Sequence, residues 1–498
     1  MNSQTNAAMA FGISRPGCVY IGGKWVEPAV GAYLELVSPD TDEGIGRVAA
    51  AGAADVDRAC AAAREAFDTG PWPRMSPSER ADAVARMAEL LERRTSELAA
   101  VWTAQTGGMP FIATPAAGLG HANFHRAIAL ARSFPFEEPT VTQAAASALL
   151  VREPVGVVVA IAPWNGPYLL MSAKVAPALV AGCTVIMKPA PETPLEAYII
   201  AECAEAAGIP PGVINLITAD RYVADLLVRD PRVDKVAFTG STTVGRHIAA
   251  VCGERLARCT LELGGKSAAI VLDDFAITDA AKLLTGTITL MSGQICSMLS
   301  RVIVTQKRHD ELAEAIAAEM KAVRVGHCDD PQSMMGPLAS RRQLERVERL
   351  VQAGRDAGTR LITGGRRPDH MDRGCFYEPT LFAGADSASV MAQEEIFGPV
   401  LTLIPCRDEN HAVRIANDSR YGLHGAVLSH DAQAVYRIGR QVRAGTFAQN
   451  GMKTDFALPF GGVKESGIGR EGGIEGLMGY LDTKAMLFDS PKPPTGPR

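Results

Sequence analysis

The chain has 498 residues, with Lys and Arg at 50 against Asp and Glu at 55 and a formal net charge of −5. That length exceeds one ordinary core and predicts two or three domains that need no covalent staples. With no basic or acidic block, the charge indicates neither a nucleic-acid surface nor an acidic tail, and a small-molecule partner is the default. Ten cysteines are scattered with no C-x-x-C, which outlines neither a disulfide framework nor a zinc knuckle and fits a reducing cytoplasm. The N-terminal stretch lacks the features of a signal peptide, and no apolar run reaches the length of a bilayer span, so no membrane partner is expected.

Residues 1–17 read as a loose tail, and 19–26 as a hairpin around Gly22-Gly23. Apolar spacing predicts helices over 53–67 and 76–105, the second opening on the capping box Ser76-Pro77-Ser78-Glu79 and presenting Met87, Leu90, Leu91, Leu98 and Val101 on one face. His121 and His125 have the four-residue spacing of metal ligands on a helix. Ala122 stands where such a motif needs glutamate, and no metal site is expected. Residues 134–151, rich in Pro, Glu, Thr and Ala, leave the main body as an extended excursion.

Apolar runs at 155–161, 183–187, 213–217 and 235–238 then alternate with helical stretches at 171–179 and 221–228. This pattern predicts a parallel sheet covered on both faces, with ligands at the carboxyl ends of its strands. Those ends are Pro163-Trp-Asn165, Lys188-Pro-Ala190, Thr218-Ala-Asp220 and Thr239-Gly-Ser-Thr242. In the last, Gly240-Ser-Thr-Thr-Val-Gly245 leads from a strand into a helix over 242–251. Backbone amides there, with Ser241 as an added donor, would receive a pyrophosphate; a Gly-rich turn without ligand is the alternative. A second α/β series follows from about residue 261, with strands at 268–272, 301–304, near 382 and at 400–404, and helices over 310–323 and 340–354. The Gly-rich stretch 450–473 is too long for a connection and is expected to line a site, and 491–498 is expected to be a disordered tail.

Within this frame Cys296, in Met291-Ser-Gly-Gln-Ile-Cys-Ser-Met298, sits beside small residues that let a substrate approach, and Glu262 lies upstream in another element. The pair suggests a thiol nucleophile and a carboxylate base, although most free cysteines are small buried hydrophobes.

Several motifs in this order resemble the aldehyde dehydrogenase superfamily, from about Tyr20 to Lys484. They are Pro163-Trp-Asn165, Lys188-Pro-Ala190, Phe238-Thr-Gly-Ser-Thr242, Glu262-Leu-Gly-Gly-Lys266, Gly293-Gln-Ile-Cys296, Glu394-Glu-Ile-Phe-Gly-Pro-Val400 and Pro459-Phe-Gly-Gly462. The resemblance implies an α/β architecture with a Rossmann-type cofactor domain (1–131 and 152–261), an α/β catalytic domain (262–476) and a small β oligomerisation segment (132–151 and 477–490). A homodimer or homotetramer is expected, as are an aldehyde substrate and no metal.

By the same resemblance Cys296 is the nucleophile, Glu262 the general base, and Asn165 an oxyanion donor together with the Cys296 backbone N–H. Lys174 joins a proton relay or is merely a solvated helix lysine. The implied cofactor contacts are Ile161, Ala162, Pro163, Trp164, Lys188, Ala190, Pro191, Phe238, Gly240, Ser241, Val244, Leu263, Gly264, Glu395 and Phe397, with Lys188 and Glu395 at the riboses and Phe397 at the nicotinamide.

Three departures bear on specificity. Pro191, with Glu192 one place late, stands where many NAD-preferring relatives carry a carboxylate, so NAD is expected with NADP possible. Asp220-Arg221-Tyr222 replaces a Gly-rich turn at the adenine end. In the substrate pocket Gly166 and Ala173 stand where relatives carry aromatics, beside Leu170, Ile295, Ser297, Met452 and Phe456, with no arginine to hold a second carboxylate. A bulky, apolar aldehyde (aromatic, terpenoid or long-chain) is the expected substrate. Acyl transfer to coenzyme A and a silent, nucleotide-binding member are the alternatives; the presence of Glu262 speaks against the first, and that of Cys296, Glu262 and Asn165 together against the second.

Overall fold

Runs of apolar, largely β-branched residues buried along their whole length set the frame of the computed structural model, which describes residues 11–493. The tail expected at 491–498 therefore falls outside the described residues from 494 onward, and the one expected at 1–17 does so up to residue 10.

Strands β7 (Val157–Ile161), β8 (Thr184–Lys188), β9 (Ile214–Leu216), β10 (Lys235–Thr239) and β11 (Arg258–Glu262) form the parallel centre of an eight-stranded sheet. The hairpin β1 (Val19–Ile21) and β2 (Lys24–Val26) extends it antiparallel beyond β9, and the two-residue β19 (Gly467–Ile468) closes the other edge against β11. Side chains of β7 alternate between two cores: Val158 and Ala160 pack with one set of helices, Val157, Val159 and Ile161 with the other. Both faces are thus covered, which is why these strands read as continuous apolar runs.

A second sheet of seven strands holds β12 (Ser267–Val271), β13 (Leu299–Thr305), β14 (Arg360–Thr363), β15 (Thr380–Ala383), β16 (Val400–Cys406), β17 (His424–Leu428) and β18 (Thr446–Gln449). All its pairings are parallel except β14 with β15. A small hairpin pairs β3 (Ala32–Val37) with β4 (Gly44–Ala50). The excursion around residue 140 forms a separate antiparallel sheet of β5 (Glu137–Thr140), β6 (Ser147–Pro154) and β20 (Leu481–Phe488).

The helix expected over 76–105 is two, Pro77–Arg93 and Thr95–Thr106. The break falls at Arg94, whose guanidinium bonds Glu97, Glu202 and the Gly12 carbonyl. That long-range demand on one side chain overrides a continuous helical pattern.

The two main sheets meet where the chain leaves β11 and enters β12. Arg301, buried on β13, anchors this region by donating to the carbonyls of Lys266 (2.8 Å), Ile415 (2.9 Å) and Ala416 (2.8 Å). Substituting Arg301→Met takes this donor from the Lys266 and Ala416 carbonyls and leaves the Ile415 carbonyl only the Asp418 N–H, with each acceptor left unpaired costing about 1–3 kcal/mol. The expected outcome is a loss of about 3 kcal/mol or more, read as a lower midpoint of chemical unfolding.

Candidate active site

The carboxyl ends of β7, β10 and β11 face the loop that precedes β13, and the candidate residues gather in that seam. The loop carrying Cys296 is bent by three successive left-handed residues, Met291 (φ 50°), Ser292 (φ 53°) and Gly293 (φ 76°). Such a conformation costs a non-glycine residue about 1–2 kcal/mol, and it persists because the loop is pinned. Ser292 Oγ donates to the Gly336 carbonyl at 2.8 Å, the Ala339 N–H donates to Gln294 Oε1 at 2.9 Å, and a Cβ on Gly293 would collide with the Gly398 carbonyl.

Asn165, just beyond β7, donates from Nδ2 to the Gln294 carbonyl at 2.9 Å. That bond uses one of its two amide hydrogens and aims the side chain at the Cys296 loop. The Cys296 thiol is half-buried, packed against the apolar cluster that contains Leu170, Ala173, Phe456 and Phe460. Burial first, then the charges of Glu262 and Glu395, push the thiol up to about 12, while the backbone N–H groups of Ser297 and of Cys296 itself pull the other way.

Glu262 ends β11 and is buried, with neither carboxylate oxygen hydrogen-bonded among the described residues. A Cβ on Gly461 would stand 2.5 Å from Glu262 Oε1, so only glycine leaves room for the carboxylate. Burial and then the neighbouring Glu471 hold Glu262 well above the ordinary carboxylate range, against the opposing charges of Lys174 and Arg470. Lys174, on the helix Pro167–Ala181, is not a solvated helix lysine. It is fully buried and donates to Thr239 Oγ1 and Glu471 Oε1, each at 2.5 Å. Glu471 was not foreseen from the sequence. It sits in a Gly-rich loop among other charged residues, and only its burial beside Lys174 distinguishes it.

A second group holds the residues expected to contact a cofactor. The helix Thr242–Glu254 begins after Ser241, which is exposed and whose Oγ accepts the Val244 N–H at 3.4 Å; its first turn holds no acidic residue, so its other end amides can meet an anion. Gly240 lies against the Phe238 ring and Gly245 against Leu263, both too close for a Cβ. Ile161 and Lys188 end their strands and are buried, and Ala162, Pro163, Trp164, Ala190 and Pro191 follow them. Burial holds Lys188 down to about 8, with Glu192 and Asp220 partly offsetting it. Glu395 Oε1 accepts the Gly265 N–H at 2.8 Å, and Gly264 offers no side chain to block the carboxylate. Phe397, itself left-handed (φ 60°), meets Trp164 edge-on at 5.4 Å between ring centres. Val244 projects into solvent. A bound dinucleotide fits these features: an open helix end, a buried lysine and a carboxylate already oriented by a backbone amide.

Of the predicted pocket residues, Leu170, Ala173 and Phe456 share a core cluster, whereas Ile295 and Met452 pack against a different one, with Ser297 Oγ donating to Met452 Sδ at 3.5 Å. Gly166 caps the helix Pro167–Ala181. Phe460, which was not foreseen, meets Phe456 in a tilted arrangement at 5.0 Å between ring centres and belongs to the same core cluster. His121 and His125 diverge. His121 bonds Tyr168 and Thr95, and His125 bonds Glu92, so the metal-like spacing serves two separate structural contacts.

The profile of the aldehyde dehydrogenase family matches residues 25–486. The chain is similar to the geranial dehydrogenase of Castellaniella defragrans, at 42% identity over 94% of this chain and 98% of that protein. It is likewise similar to the 3-succinoylsemialdehyde-pyridine dehydrogenase of a Pseudomonas species, at 40% identity over 94% of this chain and 98% of that one. Among solved structures, the Mycobacterium tuberculosis aldehyde dehydrogenase complexed with NAD+ superposes with a TM-score of 0.93 at 40% identity, covering 95% of this chain and 98% of that chain.

A Cβ placed on Gly265 would lie 2.2 Å from the Cys296 carbonyl oxygen. Gly265→Ala therefore has to displace the Cys296 peptide. Because a misplacement of about 1 Å costs on the order of 10²-fold in rate, the expected result is a loss of that size in kcat with affinity for the nucleotide retained, measured by steady-state kinetics and by titration of protein fluorescence.

Proposed function

The chain belongs to the aldehyde dehydrogenase family, and from that premise we propose that it oxidises a bulky, apolar aldehyde to the carboxylic acid, with NAD as electron acceptor and Cys296 as nucleophile. What supports this reading is the convergence of three groups from three elements: the Cys296 thiol, the Asn165 amide and the unpaired Glu262 carboxyl.

In this reading Glu262, made basic by burial, takes the thiol proton, and Cys296 Sγ attacks the aldehyde carbon. The oxyanion that develops is met by the free hydrogen of Asn165 Nδ2 and the Cys296 backbone N–H. The chemistry NAD supplies when bound is acceptance of a hydride from the carbon joined to Cys296, which turns that adduct into a thioester. Ser241 and the amides of the following helix would hold its pyrophosphate, Lys188 and Glu395 its riboses, and Trp164 and Phe397 its nicotinamide. Once the thiol proton has passed on through Lys174 and Glu471, Glu262 takes a proton from water as the water adds to the thioester and the C–S bond breaks, its electron pair returning to Cys296 Sγ. Lys174 and Glu471 relieve it of that proton.

The substrate class follows from the wall beside the thiol, where Leu170, Phe456 and Phe460 offer apolar contact and Gly166 leaves space. The names of the two similar enzymes, for geranial and for a pyridine-bearing semialdehyde, lean the same way. Without a carboxylate at Pro191, NADP is repelled less and is expected to serve as a second acceptor. The sheet of β5, β6 and β20, with Met486 and Leu487 exposed, is the proposed self-association surface. No helix among the described residues is long and apolar enough to cross a membrane, and the proposed location is the cytoplasm.

A panel of aldehydes assayed with NAD and with NADP tests the substrate class. Aromatic, terpenoid and long-chain aldehydes are expected to exceed acetaldehyde, betaine aldehyde and succinate semialdehyde in kcat/KM, and the reverse order defeats it. A Cβ on Gly166 meets only Leu169 and Leu170 at ordinary contact distance, so Gly166→Phe is compatible with the backbone. It is expected to cost bulky aldehydes about tenfold or more in kcat/KM while sparing acetaldehyde.

The pH dependence checks the base. Glu262 is raised above the ordinary carboxylate range, so its proton-accepting form grows as pH rises and thioester hydrolysis quickens with it. Glu262→Gln should abolish that rising limb and lower turnover by roughly 10²- to 10⁴-fold, and the single burst of reduced cofactor left in stopped-flow absorbance should itself be slowed, because the thiol proton also goes to Glu262. A normal limb in the variant removes Glu262 from the role.

A further inference from the structure

One face of β10 and β11 carries a row of polar side chains that hydrolysis at Glu262 does not by itself require. Alternate residues of a strand point the same way, and the register sets Lys235 beside Arg258, Ala237 beside Thr260, and Thr239 beside Glu262. At the upper end Lys174 joins Thr239 to Glu471. At the lower end Lys235, also buried, donates from Nζ to Thr260 Oγ1 at 2.6 Å and lies 4.9 Å from the centre of the Tyr480 ring. On the same row Arg258 pairs with Asp482 at 2.5 Å, where the two side chains are 48% and 43% exposed. The row therefore begins at a buried carboxyl and ends in water.

One atom in each cluster lacks a partner among the described residues. Glu471 Oε2 and Tyr480 Oη are both buried with no hydrogen bond among the described residues. The charge of Glu471 acts on Tyr480 and on Lys235 alike, which places all three in one neighbourhood. Burying such groups unpaired costs about 1–3 kcal/mol each, and folded proteins satisfy them with ordered water. Gly479 keeps side-chain atoms out of the space beside Lys235 Nζ and Thr260 Oγ1, since a Cβ there would stand 3.7 Å from both. Burial also holds Lys235 down to about 8, so near neutral pH it gives and regains a proton readily.

We propose that Glu471, ordered water, Tyr480 and Lys235 form the outlet by which the proton taken from the hydrolytic water leaves Glu262 for solvent at the Arg258–Asp482 edge. The inference rests on the reading of Glu262 as the base. In the step it serves, an O–H bond of water breaks, a C–O bond forms at the thioester carbon, and the C–S bond breaks with the electron pair returning to Cys296 Sγ. Each carrier in the outlet receives one proton and passes one on, so none is changed over a turnover. Lys235 and Tyr480 touch neither substrate nor cofactor and act through Glu471.

The test uses the full chain with Tyr480→Phe, which keeps the ring against Lys235, and with Lys235→Met. Single-turnover formation of NADH reports the steps before hydrolysis, and steady-state turnover includes hydrolysis. Both variants are expected to keep the single-turnover rate within about twofold of wild type and to lose about tenfold in steady-state turnover. The solvent deuterium isotope effect on steady-state turnover should rise, and the double variant should lose no more than the worse single one. Wild-type turnover in Tyr480→Phe, or equal losses in both regimes, overturns the outlet, the second result being the mark of a structural role. Cys296→Ala separates the two readings. Continued aldehyde oxidation in that variant brings down the thioester mechanism itself, whereas an inert Cys296→Ala beside an unchanged Tyr480→Phe removes the outlet alone.

Discussion

A buried carboxyl group with no hydrogen bond among the described residues is the constraint on which this molecule is organised. Burying Glu262 unpaired opposes folding, and the surrounding structure is shaped to tolerate it. Gly461 gives it room, and Lys174 and Arg470 supply the positive charge that partly offsets Glu471. The same isolation raises the basicity of the carboxyl, which is the property a base for a thioester-bound water needs. Stability is traded locally for chemistry, and two large parallel sheets bear the cost.

The cysteine is handled by a related device. Its loop is forced through three left-handed residues and then pinned by bonds to residues 165, 336 and 339. Those anchors come from the end of β7 and from the segment after the second sheet's first helices, so Cys296 is positioned by both sheets at once. The glycines at 264 and 265 do the complementary work: one leaves Glu395 its place and the other lets the Cys296 peptide approach. Backbone proximity, more than side-chain complementarity, sets the geometry of the seam.

Much of the fold was legible because burial on both faces leaves an unambiguous trace. The continuous apolar runs of β7, β8 and β10 announced a covered parallel sheet, and the turn at Ser241 announced an open helix end. What misled was any pattern whose meaning depends on distant partners. The helical run through residue 94 is broken by a guanidinium that reaches Glu202 and Gly12, and the paired histidines at 121 and 125 turn to different neighbours. Local periodicity carries no information about such reach.

The candidate site divides along the same line. The sequence by itself determined the residue types that chemistry demands, a cysteine among small neighbours, a carboxylate ahead of the second α/β series, and an amide beyond a strand end, because each lies in a short motif with its own local signature. Only the tertiary structure decided that Lys174 is buried and paired, that Glu471 belongs beside it, that Phe460 meets Phe456, and that Lys235, Thr260 and Tyr480 lie together. A charge in a Gly-rich loop reads the same whether it meets water or a buried lysine. Which it meets is set by how the sheets and their covering loops pack, and that packing is a sum over contacts far apart in the chain.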